Sequence, residues 1–81
     1  MKEKHRYWFT FDVKTSEQPL IWQMSRQYDV IFNIRSANVT KDMGLVALEL
    51  EGERVIIKSA VAWMESQGVK VEPVEINTIE G

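Results

Sequence analysis

The sequence contains no cysteine, a single histidine and only two prolines among its 81 residues. Without cysteine the chain cannot build a disulfide scaffold, a cysteine-type zinc site or a cysteine-ligated iron–sulfur cluster of its own. One histidine without a cluster of further ligands does not make a metal site. The sequence also lacks any apolar run approaching the ~18 residues of a membrane span. We therefore expect no metal or other cofactor in this chain, no membrane insertion and a cytoplasmic location.

Neither sign of charge dominates the chain, whose net charge is -2. The sequence therefore offers no basic surface for a nucleic-acid backbone. A hydrophobic content of 44% argues against disorder. We predict a single domain over residues 1–81, with flexible ends at 1–5 and 77–81. Because so small a domain buries a limited fraction of its surface, and disulfides and metals are excluded, we also expect a homodimer.

The hydrophobic pattern predicts six elements in the order strand, helix, strand, strand, helix, strand. Alternation of apolar residues predicts strands at 6–13, 30–39, 45–51 and 69–76. Helical spacing predicts helices near 17–28 and 53–67, and Gly68 lies where a left-handed helix end favours glycine. This order is typical of the ferredoxin-like βαββαβ arrangement. The predicted fold is therefore α+β, with a four-stranded antiparallel sheet in the order 4-1-3-2 and two helices on one face.

The helices can cover only one face of this sheet, and the alternation assigns the side chains to the two faces. The covered face is predicted to hold Phe9, Phe11, Val30, Phe32, Ile34, Val46, Leu48, Leu50, Val69 and Val71. The open face is predicted to hold Trp8, Thr10, Asp12, Ile31, Asn33, Arg35, Leu45, Ala47 and Glu49. A surface that mixes large apolar groups with polar ones is typical of a partner or ligand surface.

The second strand is predicted to be an edge of the sheet, and its apolar content favours pairing with a second copy of itself. A two-fold dimer of this kind would bring two copies of Asn33 and Arg35 to one seam. We expect Ile31, Asn33, Arg35 and Trp8 at the dimer interface. The hypothesis that follows is a binding site at the seam.

Several segments, in this order and spacing, together resemble the NIL domain over residues 6–75. They are Tyr28-Asp29-Val30, Phe32-Asn33-Ile34-Arg35, Met43-Gly44, Leu48-Glu49-Leu50-Glu51-Gly52, Ala60-Val61-Ala62-Trp63-Met64 and Gly68-Val69-Lys70-Val71-Glu72. The family's namesake tripeptide is Asn-Ile-Leu, which reads Asn33-Ile34-Arg35 here. The residues at 48–52 and 68–73 resemble those of the ferredoxin-associated NIL domains more closely than those of the transporter NIL domains.

The resemblance implies one of two contexts. In methionine ABC importers the NIL domain is a dimeric regulatory module at the end of the ATPase subunit, where it binds methionine. In the other context it precedes an iron–sulfur ferredoxin segment. The resemblance thus implies a small amino-acid-like ligand and an attached transporter ATPase or ferredoxin domain. A structural or docking module for an iron–sulfur ferredoxin protein, with no small ligand, is the alternative.

The ligand site implied by the resemblance centres on Asn33, whose amide can donate to a carboxylate and accept from an ammonium. We expect Ile31, Arg35 and Met43 to accompany it. The leucine of the motif is replaced by Arg35, which can pair with a carboxylate, with Glu49 or Asp12, or with water alone. Asn33 as a locally hydrogen-bonded edge residue and Met43 as an ordinary loop residue are the competing interpretations.

Catalysis finds little support in the residue types. The chain has no cysteine nucleophile, its one histidine adjoins no Ser–Asp arrangement, and no glycine-rich phosphate loop is present. Its carboxylates fall at turns and on helix surfaces instead of pairing as acid and base. We therefore predict a non-catalytic domain.

Overall fold

The computed structural model describes residues 2–74. Its elements are β1 (Lys2–Phe11), α1 (Val13–Ser16), α2 (Leu20–Gln27), β2 (Ile31–Val39), β3 (Gly44–Glu53), α3 (Arg54–Ser66) and β4 (Lys70–Pro73). The four strands form one antiparallel sheet in the order β2-β3-β1-β4. This confirms the α+β class and the predicted strand order. The predicted flexible end at 77–81 and the last two residues of the predicted strand at 69–76 lie outside the described residues.

The first strand starts earlier than expected, and the prediction of a flexible end at 1–5 is wrong for residues 2–5. These residues pair with the end of β3. Glu3 accepts hydrogen bonds from His5 Nε2 at 2.7 Å and from Arg54 Nε, at the start of α3, at 3.1 Å. The Arg54 guanidinium, and then His5, hold the pKa of Glu3 below its usual value. Charged residues concealed this part of the strand because strand prediction relies on apolar alternation.

The helix predicted over 17–28 is found as the shorter α2, and an additional helix, α1, forms before it over Val13–Ser16, so the chain has three described helices instead of two. Asp12 starts α1 with a capping box: its Oδ1 accepts from the Thr15 backbone N–H at 2.9 Å, and its own N–H donates to Thr15 Oγ1 at 2.9 Å. Pro19 then separates the two helices, because proline lacks a backbone N–H and disfavours helical geometry in the preceding residue. The second helix begins at Leu20.

Both longer helices pack on the same face of the sheet, as predicted. Their buried residues are Leu20, Met24, Ile57, Ala60 and Met64, which join Phe9, Phe11, Val46, Leu48 and Leu50 of the sheet in one core. Helix α3 lies over β3, β1 and β4, and α2 packs beside it. The helices therefore cover three strands and leave β2 at the margin of the helical layer.

We expect Gly68→Ala to lower the free energy of unfolding by about 1–2 kcal/mol, the usual cost of the left-handed region for an L-residue. Gly68 has φ +97° after the end of α3, and an added Cβ would lie 3.4 Å from Thr15 Cγ2. Urea unfolding measures the loss. Gln67→Ala is the matched control, because the exposed Gln67 has φ -88°. Equal stability of the two variants would contradict this account.

Asp12 should make the stability depend on acid pH. Hydrogen bonds from the Thr15 backbone and then from its hydroxyl lower the pKa of the Asp12 carboxyl. A lowered folded-state pKa stabilises the protein above the unfolded pKa, and this contribution disappears as the pH falls through the folded value. The difference in melting temperature between wild type and Asp12→Asn should therefore shrink below about pH 4. A difference that is constant from pH 7 to pH 2 would contradict the expectation. The Glu3 carboxyl, whose pKa is also lowered, is present in both proteins and cancels in this difference.

Candidate functional site

The strand β2 is exposed along all nine of its residues. Phe32 is 36% exposed and Ile34 is 55% exposed, so the prediction that the helices cover them is wrong. They do lie on the helix side of the sheet, opposite the fully buried Leu50 and Leu48. Their exposure follows from the placement of α2 and α3, which do not extend over this edge. An unpaired edge with apolar side chains is a template for another strand.

A bulge interrupts β2 at Arg35. Ile34 lies opposite Leu48 and Ser36 lies opposite Ala47, so Arg35 is the extra residue without a cross-strand partner. Neither of the ion-pair partners predicted for Arg35 is paired with it: Glu49 lies 3.9 Å from Arg6, and Asp12 caps α1. Arg35 is exposed and forms no ion pair with another residue in the range 2–74.

The other predicted site residues are distributed over a wide area. Asn33 is exposed on the open face opposite Glu49, and Ile31 lies two residues before it on the same face. Met43 lies in the turn after β2, where its carbonyl accepts hydrogen bonds from Thr40. The structure thus brings Ile31, Asn33 and Arg35 along one edge, and Met43 lies beyond the far end of that edge.

Trp8 and Ala47 lie inside the open face, away from its edge. Trp8 is on β1, two strands from the β2 edge, so pairing at that edge alone does not reach it. Ala47 lies between Trp8 and Ser36 on the neighbouring strands and is buried. Its position on the open face agrees with the prediction.

An apolar cavity of about 200 Å³ opens beside the C-terminal end of β2, on the helix face of the sheet. Its walls are formed by Phe11 and Val46 of the sheet, the start of α2 from Pro19 to Trp22, and Val39 at the end of β2. Val39 is 66% exposed and Trp22 is 59% exposed, so large apolar groups flank the opening. The cavity is smaller than the ~300–1,000 Å³ of pockets for drug-sized ligands, and its size suits a single apolar side chain.

Sequence reasoning did not identify this cavity. Asn33 lies six residues before Val39, about 20 Å along the strand, and on the opposite face of the sheet. One small ligand therefore cannot contact both within a single chain. The sequence feature that could have indicated the cavity was Trp22, an aromatic residue outside the apolar stripe of its helix. Arg26 lies over its ring at 5.6 Å.

Within the described residues, the carboxyl groups with lowered pKa values lie away from the β2 edge. The two carboxyl groups with lowered pKa values are Glu3 and Asp12. They lie in β1 and at the start of α1. Among residues 2–74, no group of three or more histidine or acidic side chains could hold a metal ion. No helix in this range has the length and apolar content needed to cross a membrane. The β2 edge offers unpaired backbone, apolar surface and an adjoining cavity.

The fold and this edge define a small α+β domain with ferredoxin-like strand order and an exposed apolar edge strand. The model of the NIL domain family matches residues 5–73, and the chain belongs to that family. The crystal structure of the C-terminal domain of an ABC transporter ATP-binding protein from Enterococcus faecalis has a TM-score of 0.76 to this chain at 20% identity. The match covers 86% of this chain and 82% of the Enterococcus faecalis chain. This similarity supports the fold.

The relatives by sequence are methionine import ATP-binding proteins. The chain is 33% identical over 69 residues to MetN 2 of Acinetobacter baylyi, covering 80% of this chain and 20% of that protein. It is 31% identical over 75 residues to MetN of Cupriavidus metallidurans, covering 88% of this chain and 22% of that protein. The chain thus spans about a fifth of the length of these relatives. None of these relatives supports the predicted closer resemblance to ferredoxin-associated domains.

Proposed function

We propose that this chain is a non-catalytic regulatory domain that binds a small amino-acid-like ligand at a dimer edge formed by β2. The observation that carries the proposal is the apolar cavity at the end of an exposed edge strand. Its apolar walls and its volume suit the side chain of one amino acid. Methionine is the first ligand to test, because the relatives are named as methionine import proteins.

The regulatory part of the proposal rests on differential binding. A ligand shifts an equilibrium between two arrangements only by its difference in affinity for them. A ligand that touches both copies at a shared edge favours the paired arrangement. In a parent protein with an attached transporter ATPase, that arrangement can transmit occupancy to the ATPase. This context is supported by the sequence similarity between most of this chain and part of the importer ATP-binding proteins.

Isothermal titration with methionine, and with a set of other amino acids, tests ligand binding. We expect saturable binding of methionine to the wild-type chain. Val39→Phe should weaken it tenfold or more, about 1.4 kcal/mol, by placing a ring in the cavity. Val55→Phe is the control, because Val55 is 68% exposed on α3, away from the cavity.

Three other results would change the proposal. A flat response to every amino acid would remove ligand binding and leave the docking module as the function. Loss of affinity in Asn33→Ala, with none in Val39→Phe, would place the ligand on the open face, as the resemblance implies. Equal losses in Val39→Phe and Val55→Phe would show a general effect on folding.

Sedimentation tests the dimer separately from the ligand. At tens of micromolar we expect the wild-type chain to sediment as a dimer, since an edge-paired dimer should persist at that concentration. Ile34→Lys should convert it to a monomer, because a charge on an edge strand opposes pairing. Val55→Lys adds the same charge elsewhere and should leave the dimer intact. A wild-type monomer would contradict the dimer edge.

A further inference from the structure

The open face of the sheet carries Trp8, which edge pairing along β2 does not reach. Within residues 2–74 neither of the two longer helices packs on this face, because their buried residues join the core on the other side. Successive side chains of a strand point to opposite faces. The two central strands therefore give the open face these side chains: Lys2, Lys4, Arg6, Trp8 and Thr10 of β1, and Leu45, Ala47, Glu49, Glu51 and Glu53 of β3.

The charges on this face are sorted by strand. All charged open-face residues of β1 are basic, and all those of β3 are acidic. They form directly opposite pairs in the register of the two strands: Lys2 with Glu53, Lys4 with Glu51, and Arg6 with Glu49. A positive column thus lies beside a negative column at one end of the face. At the other end the half-buried Trp8 lies opposite Ala47, and Leu45 is 40% exposed.

This arrangement is complementary to itself under one two-fold axis. The axis runs parallel to the strands, midway between β1 and β3, above the open face. It sets β1 of one copy over β3 of the partner with no displacement along the strands, so each residue faces the type of residue that lies opposite it in its own sheet. The basic column then faces the partner's acidic column, and Trp8 faces the partner's Ala47. Sheets stacked ~10 Å apart keep their strands within ~30° of each other, and this axis permits that alignment.

The other two-fold axis for stacked open faces runs perpendicular to the strands, and it matches poorly. It sets each strand over the same strand of the partner in the opposite direction. Centred on Lys4, it opposes Lys4 to the partner's Lys4 and Glu51 to the partner's Glu51, and like charges facing each other across an interface are unfavourable. Centred on Trp8, it opposes the two Trp8 rings and sets Arg6 over the partner's Thr10. The axis parallel to the strands is therefore favoured.

We propose that the open face is a docking surface for the open face of a second copy, related by the axis parallel to the strands. Trp8 of each copy packs on the partner's Ala47, and Lys4 lies against the partner's Glu51. The inference goes beyond the proposed function, because it uses neither the β2 edge nor the cavity. The outer strands oppose only charged to neutral groups in this arrangement: Lys70 to the partner's Asn38, and Glu72 to the partner's Ser36.

The size of the face sets the strength of this contact. Four strands ~4.8 Å apart, with a rise of ~3.4 Å per residue along β1, give a face on the order of 500 Å² per copy. Interfaces of this size are at the weak, transient end of the range, and the charged side chains lose water on docking. We expect a dissociation constant of roughly hundreds of micromolar. The face axis and the axis of a β2 edge dimer lie about 10 Å apart and do not meet, so chains using both contacts build an open row of copies.

Sedimentation of the Ile34→Lys chain, in which the β2 edge is blocked, tests the face by itself. We expect this chain to be monomeric at tens of micromolar and to dimerise toward about 1 mM. Adding Trp8→Ala should raise the dissociation constant at least about tenfold, the loss expected for an aromatic group at the centre of an interface. Adding Val55→Ala, on the exposed surface of α3, should leave it unchanged. A monomer at 1 mM, or a dimer insensitive to Trp8→Ala, would overturn the inference and leave the edge dimer and ligand binding in place.

Charge reversal in the same Ile34→Lys background tests the facing residues. Lys4→Glu and Glu51→Lys should each weaken self-association about tenfold or more, because each sets like charges against one another twice in the dimer. An equal mixture of the two variants should associate as tightly as the parent chain, since the new acidic side chain of one faces the new basic side chain of the other. Within each chain the pair between positions 4 and 51 stays broken, so the mixture restores only contacts between chains.

Lys58→Glu is the matched control for the mixture. It gives the same net charge as Lys4→Glu but lies exposed on α3, away from the open face. Mixed with Glu51→Lys, it should not restore association. Equal recovery with Lys58→Glu would assign the effect to net charge and overturn the inference. Self-association of Lys4→Glu at the strength of the parent would overturn it as well.

Discussion

The unpaired edge of β2 is the constraint on which the rest of this structure depends. Two helices bury one face of β3, β1 and β4 with a single apolar core, and they do not extend over β2. Backbone N–H and C=O groups along this edge lack a strand neighbour, and Phe32 and Ile34 remain partly in water. A small domain without disulfides has few other means of covering such surface. The architecture that stabilises the monomer thus also leaves this edge exposed.

The cavity arises from the same geometry. Pro19 interrupts the helical segment, so α2 begins at Leu20 and its first turn lies above the ends of β1 and β2. Gly44 at the start of β3 adds no side chain to fill the space below it. The result is an apolar space beside Val39 that the chain alone leaves open. The cavity and the exposed edge therefore adjoin.

Membership of the NIL domain family gives this geometry a context. The matched relatives are importer ATP-binding proteins several times longer than this chain. The regulatory contribution that we propose for it is a difference in ligand binding between two arrangements. The replacement of the motif leucine by Arg35 coincides with the bulge in β2. The departure from the family motif therefore lies at the irregular position of this edge strand.

The sequence alone determined the order of the strands and of the two longer helices and most of the core, because apolar periodicity reports local structure and the face that each side chain takes. It also determined the left-handed end of α3 at Gly68. It did not reveal residues 2–5 of β1, whose charges conceal a strand paired with a distant part of the chain. Only the tertiary structure decided that Phe32 and Ile34 lie uncovered, that Arg35 forms a bulge and that a cavity opens beside Val39. Each of these features depends on how far one element extends across its neighbours in the fold. Local periodicity carries no information about that extent.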